Sequence, residues 1–496
     1  MKRTTERRAS FTGTVAAMAA RNRIWMAMAS VVVLAAGMYF AGRSGTDYKA
    51  YSNDFNVYYF ASREMLSGRS PYDQRLKPWT PYLYPPLLAE LITPLALLPL
   101  PVAAYIWWLV NVSATIAAAA IAARLVRSAY SARAANCDSS GPEHADAARW
   151  TVQYPMVIAA VSLVVLGRFS LDCFAMGQVN PIVTFLAIAH VYFYARRRRG
   201  MSVLTLALAS VLKIGPLLFV VYHLLMGRVR YSLLCIALVG SIALVSFALL
   251  GNQSMTAMRT FYHQTIQNGQ GFDLSYSGNQ SLRGAELRLL NEPEPDNRKT
   301  TDPLVIAFSA VFLLAAAWRA RSRYGSAPTK QDTGVLSPAK DVNAATEPTA
   351  RSSLTRKSLA APYEHSDPNG FALEAAAIAP FFCLMVMLSP LGWKNHFVIL
   401  LLPVAILIGR AARSVGQCVR SAATPGSKSV MAPILRSTLR SLLRSPAAIS
   451  IFLAFFAFNF TSPAIIGKAW AERADSYSLI FFTTALIYLA LIFTES

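Results

Sequence analysis

Residues 196–250 read RRRRGMSVLTLALASVLKIGPLLFVVYHLLMGRVRYSLLCIALVGSIALVSFALL, and this stretch decides the fold of the chain. Its last part, Tyr231–Leu250, is almost entirely apolar and long enough to cross a hydrocarbon core of about 30 Å. Arginine clusters flank the apolar segment before it, as they flank the cytoplasmic ends of membrane helices. The stretch therefore predicts membrane-spanning helices and not a soluble domain.

The composition of the whole chain gives the same result. Of its 496 residues, 54% are hydrophobic and 15% are charged, whereas a soluble domain carries about 25% charged residues. The net charge is +22, but the basic residues stand in short clusters between apolar runs, which favours membrane orientation over nucleic-acid binding. The apolar runs are solid and not alternating, which excludes a membrane β-barrel. We expect an all-α polytopic membrane protein that binds the lipid bilayer and no nucleic acid.

The segment Met201–Met226 lies between two arginine clusters, and a single crossing would place one of them outside the cell. A hairpin of two short arms keeps both clusters on the cytoplasmic side. The sequence Lys213-Ile214-Gly215-Pro216 provides the turn. We therefore predict that Lys213 lies at the hairpin tip, in the outer half of the membrane.

Extending this path in both directions gives a bundle of about 12 transmembrane helices with both termini in the cytoplasm. The run Pro86–Leu100 follows the first outer loop, is interrupted by prolines and is too short to cross, so we predict a re-entrant or interfacial segment there. This topology places 31 of the 47 Lys and Arg residues in cytoplasmic segments. Besides the hairpin, the predicted spans are 24–42, 102–123, 153–171, 179–195, 231–250, 303–318, 371–391, 397–408, 447–466 and 477–493.

The basic loops divide the chain into segments. Two of these loops are rich in small and polar residues, a composition typical of disorder. The predicted segments are a basic cytoplasmic N-terminus (1–23), a transmembrane core (24–318) with outer loops 43–100 and 251–302, a disordered cytoplasmic loop (319–370), a transmembrane hairpin (371–412), a basic cytoplasmic loop (413–446) and a C-terminal transmembrane hairpin (447–496).

The first outer loop carries a carboxylate among aromatic residues. Asp54 is followed closely by Tyr58, and Tyr84 precedes a rigid Pro-Pro turn. Aromatic neighbours partly desolvate a carboxylate and change its basicity, which suits a general base. The alternative is that Asp54 only caps a helix beginning at Phe55 and that the tyrosines form an interfacial belt.

Two further motifs place polar groups at helix ends on the same side of the membrane. Gln178 and Asn180 begin a predicted helix, where free backbone N–H groups favour anions; an N-cap role for Asn180 is the alternative. Lys213 is an intramembrane lysine, which is costly and points to function; the alternative is that its side chain extends to the outer interface.

Two outer segments complete the set of candidates. The long loop contains Asn279 and Gln280, and the turn between two later spans reads Trp393-Lys394-Asn395-His396. This turn brings an indole, an ammonium and an imidazole together, although a plain connector is the alternative interpretation. With Asp54 and Lys213 these groups suit a substrate that is part lipid phosphate and part sugar, because cations hold phosphate and amides hold hydroxyls.

The motifs resemble, in this order along the chain, those of glycosyltransferase family 87. The matching pieces begin with Asp54 and Val57-Tyr58 and end with Leu388-Ser389-Pro390. Between them lie Leu66-x-Gly68-x-x-Pro71-Tyr72, Tyr84-Pro85-Pro86, Pro94-Leu95-Ala96-Leu97-Leu98-Pro99, Gly177-Gln178-Val179-Asn180, Leu212-Lys213-x-x-Pro216 and Asn279-Gln280-Ser281-Leu282.

The resemblance implies a GT-C fold, a polyprenyl-phosphate sugar donor with mannose as the expected sugar, and inverting transfer without a metal or cofactor. It implies a glycan or glycolipid acceptor and an extracytoplasmic site in a multi-pass protein of the bacterial plasma (inner) membrane. The sequence departs from the family at residues 393–396, where relatives often have an acidic residue and paired histidines. The resemblance implies the role of general base for Asp54. From the chemistry of their side chains we predict donor phosphate or lipid binding for Lys213, Lys394 and Tyr84, and sugar or acceptor binding for Tyr58, Gln178, Asn180, Asn279, Gln280, Trp393 and His396.

Two other functions compete with a transferase. A transporter would place polar or acidic residues around a cavity at the membrane midplane, yet the predicted spans contain almost no carboxylates. A non-catalytic subunit of envelope-glycan assembly would leave the outer polar motifs without a task.

Overall fold

The computed structural model describes residues 31–44, 53–73, 81–135, 155–263, 273–290, 302–325, 368–422 and 431–494. Within these ranges every regular element is helical. The predicted N-terminal segment 1–23 and most of the predicted loop 319–370 lie outside the described residues.

The helices are short at the outer loop and long in the core, and many begin at a proline, which lacks the N–H that a first-turn residue leaves unpaired. The first ten helices are α1 (Val31–Ser44), α2 (Asp54–Leu66), α3 (Pro86–Ala96), α4 (Leu100–Ala135), α5 (Pro155–Val165), α6 (Gly167–Met176), α7 (Asn180–Ala195), α8 (Arg199–Leu212), α9 (Leu217–Leu225) and α10 (Val229–Leu250). The remaining helices are α11 (Asn252–Phe261), α12 (Leu282–Leu290), α13 (Pro303–Gly325), α14 (Pro368–Met387), α15 (Leu401–Ala422), α16 (Met431–Arg444), α17 (Pro446–Phe455), α18 (Pro463–Ile466), α19 (Lys468–Ser476) and α20 (Leu479–Phe493). Short 3₁₀ turns occur at Pro71–Asp73 and Lys394–Leu400, and a π turn at Phe456–Phe460.

Several helices are suited to cross a membrane. In the described part of the chain, four are long and apolar enough: Leu100–Ser128, Val229–Leu250, Pro303–Arg323 and Lys394–Val415. Three bent pairs raise the number to seven if each pair is one span. The fold is thus an all-helical bundle compatible with a polytopic membrane protein, and the count of twelve crossings and the re-entrant segment stay predictions.

Two apolar cores hold the bundle together. The larger core joins the inner faces of α4, α7, α14, α15 and α20, with Phe381, Phe382 and Leu402 fully buried. The smaller core packs the outer-loop helices α2 and α3 against α4, around Phe55 and Leu88. The smaller core fixes the outer loop on the bundle, which places the start of α2 beside the turn before α7.

The described structure differs from the sequence expectation in two places. The predicted span 153–171 is bent by 69° at Leu166, between α5 and α6. The predicted unstructured loop 413–446 contains the end of α15 and the helix α16. The sequence pattern missed α16 because its arginines and serines give a composition typical of disorder, although its leucines recur at helical spacing. In contrast, the break between α8 and α9 falls at Lys213–Pro216, where the hairpin turn is predicted.

Candidate active site

The carboxylate of Asp54, at the start of α2, is not used to cap the helix. The N-cap of this helix is Asn53, whose Oδ1 accepts the backbone N–H of Asn56 at 2.8 Å. The Asn53 amide also donates to Ser44 Oγ at 2.7 Å, which ties α2 to the end of α1. The interpretation of Asp54 as the helix cap is therefore wrong. Its side chain instead accepts a hydrogen bond from the Gln178 amide.

A glycine turn brings Gln178 to this carboxylate. Gly177 ends α6 with a φ of +64°, a left-handed conformation that glycine adopts without strain. A Cβ at this position would lie 2.7 Å from the Cβ of Phe55. The Trp107 indole N–H donates to the Gly177 carbonyl at 2.8 Å and holds the turn against α4. Only a residue without a side chain allows the chain to pass so close to α2.

Two amides connect the carboxylate to an ammonium group. Gln178 Oε1 accepts hydrogen bonds from the Tyr84 hydroxyl at 3.0 Å and from the Asn180 amide at 3.2 Å. Asn180 Oδ1 in turn accepts the Lys213 ammonium at 2.7 Å. The N-cap of α7 is Val179, so the capping interpretation of Asn180 is also wrong. Asp54, Gln178, Asn180 and Lys213, here called the outer cluster, thus form one continuous hydrogen-bonded chain.

A cavity of about 460 Å³ lies beside Lys213, the last residue of the outer cluster, whereas Asp54, Gln178 and Asn180 do not line it. Its polar groups come from Tyr84, Lys213, Ser389, Trp393 and His396. The rest of its wall is mainly apolar and comes chiefly from α9, α11 and α14: Leu217, Leu218, Val221, Phe261, Leu384, Met385 and Leu388. Such a cavity suits an amphipathic ligand whose polar group lies at Lys213.

Burial changes the acidity of the groups beside the cavity. It raises the pKa of the Asp54 carboxyl from 3.8 to about 7, and the positive charge of Lys213 opposes this rise. Burial also raises the pKa of the Tyr84 hydroxyl, and the charge of Asp54 adds to that rise. Tyr84 is consequently a neutral hydrogen-bond donor, while Asp54 has the acidity that a general base needs near neutral pH.

Not every predicted site residue reaches the cavity. Asn279 donates to the carbonyls of Leu274 and Pro390 at 2.9 and 3.0 Å and accepts the Gly392 N–H at 2.8 Å. Gln280 donates to the carbonyls of Ser277 and Asp475. Both amides are fully buried and hold the loop 273–281 against the neighbouring turns. The structure gives them a positioning task, and we do not include them among the groups that contact substrate.

Lys394 also lies away from the cavity wall. Its ammonium forms an ion pair with Asp475 at the end of α19, and only 7% of the Asp475 side chain is exposed. Tyr58 is buried behind the site, where its ring packs edge-on against that of Tyr84 at 4.8 Å. Trp393 and His396, in contrast, do line the cavity. The turn at 393–396 therefore faces the cavity with two of its predicted residues and not with its lysine.

The structure adds two residues to which the sequence analysis gave no role in the site. Ser389 lines the cavity and also a smaller one of about 50 Å³ beside it. Thr184 lines the smaller cavity together with Asn180 and His396. Thr184 stands four residues after Asn180, so helical spacing places both on one face of α7; this spacing was the available signal.

The described residues contain no group of three or more His, Cys, Asp or Glu side chains that could hold a metal ion. The metal independence implied by the family resemblance stays a prediction.

Comparison with known proteins gives one family. The profile of glycosyltransferase family 87 matches residues 82–334, just over half of the chain. The match includes Gln178, Asn180 and Lys213 of the outer cluster but begins after Asp54. No solved structure matches the chain.

Two curated relatives come from Mycobacterium tuberculosis. A polyprenol-phosphate-mannose-dependent alpha-(1-2)-phosphatidylinositol mannoside mannosyltransferase is 28% identical over 278 residues, which are 55% of this chain and 60% of the relative. A polyprenol-phosphate-mannose-dependent alpha-(1-2)-phosphatidylinositol pentamannoside mannosyltransferase is 26% identical over 246 residues, 49% of this chain and 50% of the relative. The aligned part thus spans between half and three fifths of each relative. The family profile covers the helices that carry most of the outer cluster, and the chain belongs to glycosyltransferase family 87.

Proposed function

We propose that this protein transfers a hexose, mannose in the first instance, from a polyprenyl phosphate to a glycan or glycolipid acceptor. The two mycobacterial relatives are named for a polyprenol-phosphate-mannose donor and for phosphatidylinositol mannoside acceptors. We extend the donor class and a glycolipid acceptor to this chain. The reaction takes place on the extracytoplasmic face of a bacterial inner membrane, which is the side to which the positive-inside rule assigns Asp54 and Lys213.

The observation that carries the proposal is the shape and chemistry of the cavity. Its volume is about 460 Å³, its mainly apolar wall suits an isoprenoid chain, and its polar lining includes Lys213 and His396. A polyprenyl phosphate sugar has the same division between an apolar chain and a charged head. The Lys213 ammonium, held by Asn180, is placed to neutralise the donor phosphate.

Asp54 supplies the base for the transfer. An acceptor hydroxyl oxygen attacks the anomeric carbon from the face opposite the phosphate, and the bond from that carbon to the phosphate oxygen breaks. The hydroxyl proton passes to the Asp54 carboxylate, and polyprenyl phosphate leaves with the electron pair of the broken bond. The attack inverts the anomeric centre. The phosphate is already a good leaving group, so the mechanism needs no second carboxylic acid, in contrast to inverting hydrolysis.

The neighbours of Asp54 prepare it for this step. Gln178 donates to the carboxylate and fixes its orientation. The raised pKa, about 7, makes the carboxylate a stronger base than an exposed aspartate would be. Tyr84 and Trp393 bring aromatic rings to the cavity wall, and we assign them to packing against the apolar face of the sugar.

The test uses the purified full-length protein in proteoliposomes with polyprenyl phosphate carrying radiolabelled mannose and a phosphatidylinositol mannoside acceptor. We expect the label to appear in a more polar glycolipid, and its anomeric configuration to be opposite to that of the donor. Liposomes without protein are the control. Label that crosses the bilayer on the unchanged donor would indicate a transporter. If no label reaches the acceptor with any of the polyprenyl phosphate sugars supplied, the proposal is contradicted.

A further inference from the structure

The helix α16 has two chemically distinct stripes on its surface. Arg436, Arg440 and Arg444 recur every four residues and all three are exposed. At 100° per residue, Leu439 and Leu443 form a second stripe beside them, and these two leucines are 56% and 67% exposed. The half-buried side of the helix consists of small polar residues, Ser437, Thr438 and Ser441. The leucines consequently face away from the bundle.

The direction of α16 relates this surface to the bilayer. A single residue, Ser445, separates α16 from the segment Pro446–Phe460, which contains no charged side chain. The two are bent by 85° relative to each other. Transmembrane helices tilt by about 20° on average from the bilayer normal. Pro446–Phe460 belongs to the predicted span 447–466, and a helix at nearly a right angle to that span would run along the membrane surface.

The charge of the surrounding sequence defines the partner. Residues 409–446 contain seven Lys and Arg and no Asp or Glu. Basic side chains beside an exposed apolar stripe are the pattern of helices that bind anionic lipid surfaces. We propose that α16 is an interfacial anchor that binds anionic phospholipid headgroups of the cytoplasmic leaflet through Arg436, Arg440 and Arg444 and inserts Leu439 and Leu443 beneath them. This anchor fixes the corner between α15 and α17 and does not depend on the transferase reaction.

The test places an environment-sensitive fluorophore on the leucine stripe of the full-length protein. Leu443→Cys is labelled in a Cys137→Ser, Cys418→Ser background, since Cys173, Cys235 and Cys383 are buried. The labelled protein is compared in nanodiscs of phosphatidylcholine alone and in nanodiscs containing one third phosphatidylglycerol. We expect the emission to move to shorter wavelength in the anionic discs and to return in high salt, which screens the headgroup charge.

Charge variants decide between a lipid anchor and a solvated helix. Arg436→Gln, Arg440→Gln and Arg444→Gln together should abolish the shift, since three charges near an anionic surface change the ratio of bound to free helix on the order of a hundredfold. The variant with Arg436→Lys, Arg440→Lys and Arg444→Lys should keep the emission shift, because attraction to the headgroups needs charge and not guanidinium geometry. Amide hydrogen exchange over 436–444 in the unlabelled protein gives a second readout that does not depend on the introduced cysteine. Equal emission and equal exchange in both kinds of disc, or a shift that the Gln variant retains, would overturn the proposal.

Discussion

Helices α7 and α8 carry polar residues toward both ends, and the two clusters are built for different purposes. The outer cluster lies where α7 begins and α8 ends, through Asn180 and Lys213. Toward the other ends lies a second group, called the sealed cluster: His190, Ser202, His223, Arg228, Tyr231 and Glu374. Lys213 of the outer cluster lines two cavities and Asn180 lines the smaller one, whereas the sealed cluster contributes no residue to the wall of either.

The hydrogen bonds of the sealed cluster form a closed set. Arg228 binds Glu374 with two hydrogen bonds of 2.7 and 2.8 Å and also approaches His223 Nδ1 at 3.2 Å. A guanidinium only donates, so His223 Nδ1 accepts and its Nε2 carries the proton. That proton is donated to His190 Nε2 at 3.2 Å, and His190 Nδ1 then donates to Ser202 Oγ at 2.9 Å.

The comparison teaches that a buried polar network points to a ligand site when part of the network borders open space. The side chains of the sealed cluster described above hydrogen-bond to partners within the protein, which is the usual arrangement of a structural network. The Lys213 ammonium of the outer cluster and the hydroxyl of Tyr84, which donates to Gln178, have protein partners and also border a cavity large enough for a ligand. We therefore expect substitutions in the outer cluster to change turnover and donor affinity, and substitutions in the sealed cluster to change stability.

The largest effect is expected at the carboxylate. Asp54→Asn retains the shape and one hydrogen-bonding oxygen but removes the base, so kcat should fall by about 10²–10⁴-fold. Binding of the donor, measured with radiolabelled polyprenyl phosphate mannose, should be retained. Asp73→Asn is the matched control, because Asp73 is an exposed carboxylate of the predicted outer loop that accepts the Ser70 N–H. Turnover above about a tenth of the wild-type value in Asp54→Asn would place the base elsewhere.

The sealed cluster should respond in stability and not in catalysis. Arg228→Met leaves the Glu374 carboxylate buried without its two charge-assisted hydrogen bonds. Removing one partner of a buried ion pair costs about 3–5 kcal/mol, so the thermal unfolding midpoint in detergent should fall clearly while the donor KM of the folded enzyme stays the same. Arg69→Gln is the control. The ion pair between Arg69 and Glu64 lies on the surface, where Arg69 is 59% exposed, so its loss should cost about 1 kcal/mol at most. A changed donor KM with unchanged stability would give the sealed cluster a role in the site.

Donor affinity should distinguish Lys213 from Lys394. Lys213→Ala removes a charge-assisted hydrogen bond worth about 1.5–3 kcal/mol, so the apparent donor KM should rise on the order of ten- to a hundredfold, and the acceptor KM less. Lys394→Ala is the matched control, since Lys394 pairs with Asp475 away from the cavity wall. The control should lower stability and leave donor KM near the wild-type value. A larger rise in donor KM for Lys394→Ala than for Lys213→Ala would reverse the roles assigned to the two lysines.

The sequence predicted the helical class and the break at Lys213–Pro216, because apolar length and flanking arginines are local signals. It also predicted Asp54 beside aromatic residues and Asn180 at the start of α7. It did not predict the hydrogen bond between Asn180 and Lys213, since the two stand far apart in the chain and only the packing of α7 on α8 joins them. Contacts of this kind depend on tertiary structure that local patterns do not encode.

Three of the predicted site residues lie away from the cavity wall for a common physical reason. Asn279, Gln280 and Lys394 were assigned to substrate because they are polar residues in outer segments. In the structure they satisfy buried backbone groups or a carboxylate, a need that every buried turn has. Asp475, the partner of Lys394, lies near the end of α19 and carried no motif. Residue type alone does not separate a polar group that faces a ligand from one that holds a turn.

The pH–rate profile tests the central claim, that Asp54 is a base made effective by burial. The pKa of its carboxyl is raised from 3.8 to about 7, so below pH 7 it is increasingly protonated and unable to accept the acceptor proton. The rate constant kcat/KM for the acceptor should therefore fall tenfold per pH unit below about pH 7, while the donor phosphodiester stays ionised throughout. The residual activity of Asp54→Asn should lack this acidic limb. A limb centred near pH 4, or one that persists in Asp54→Asn, would contradict the account.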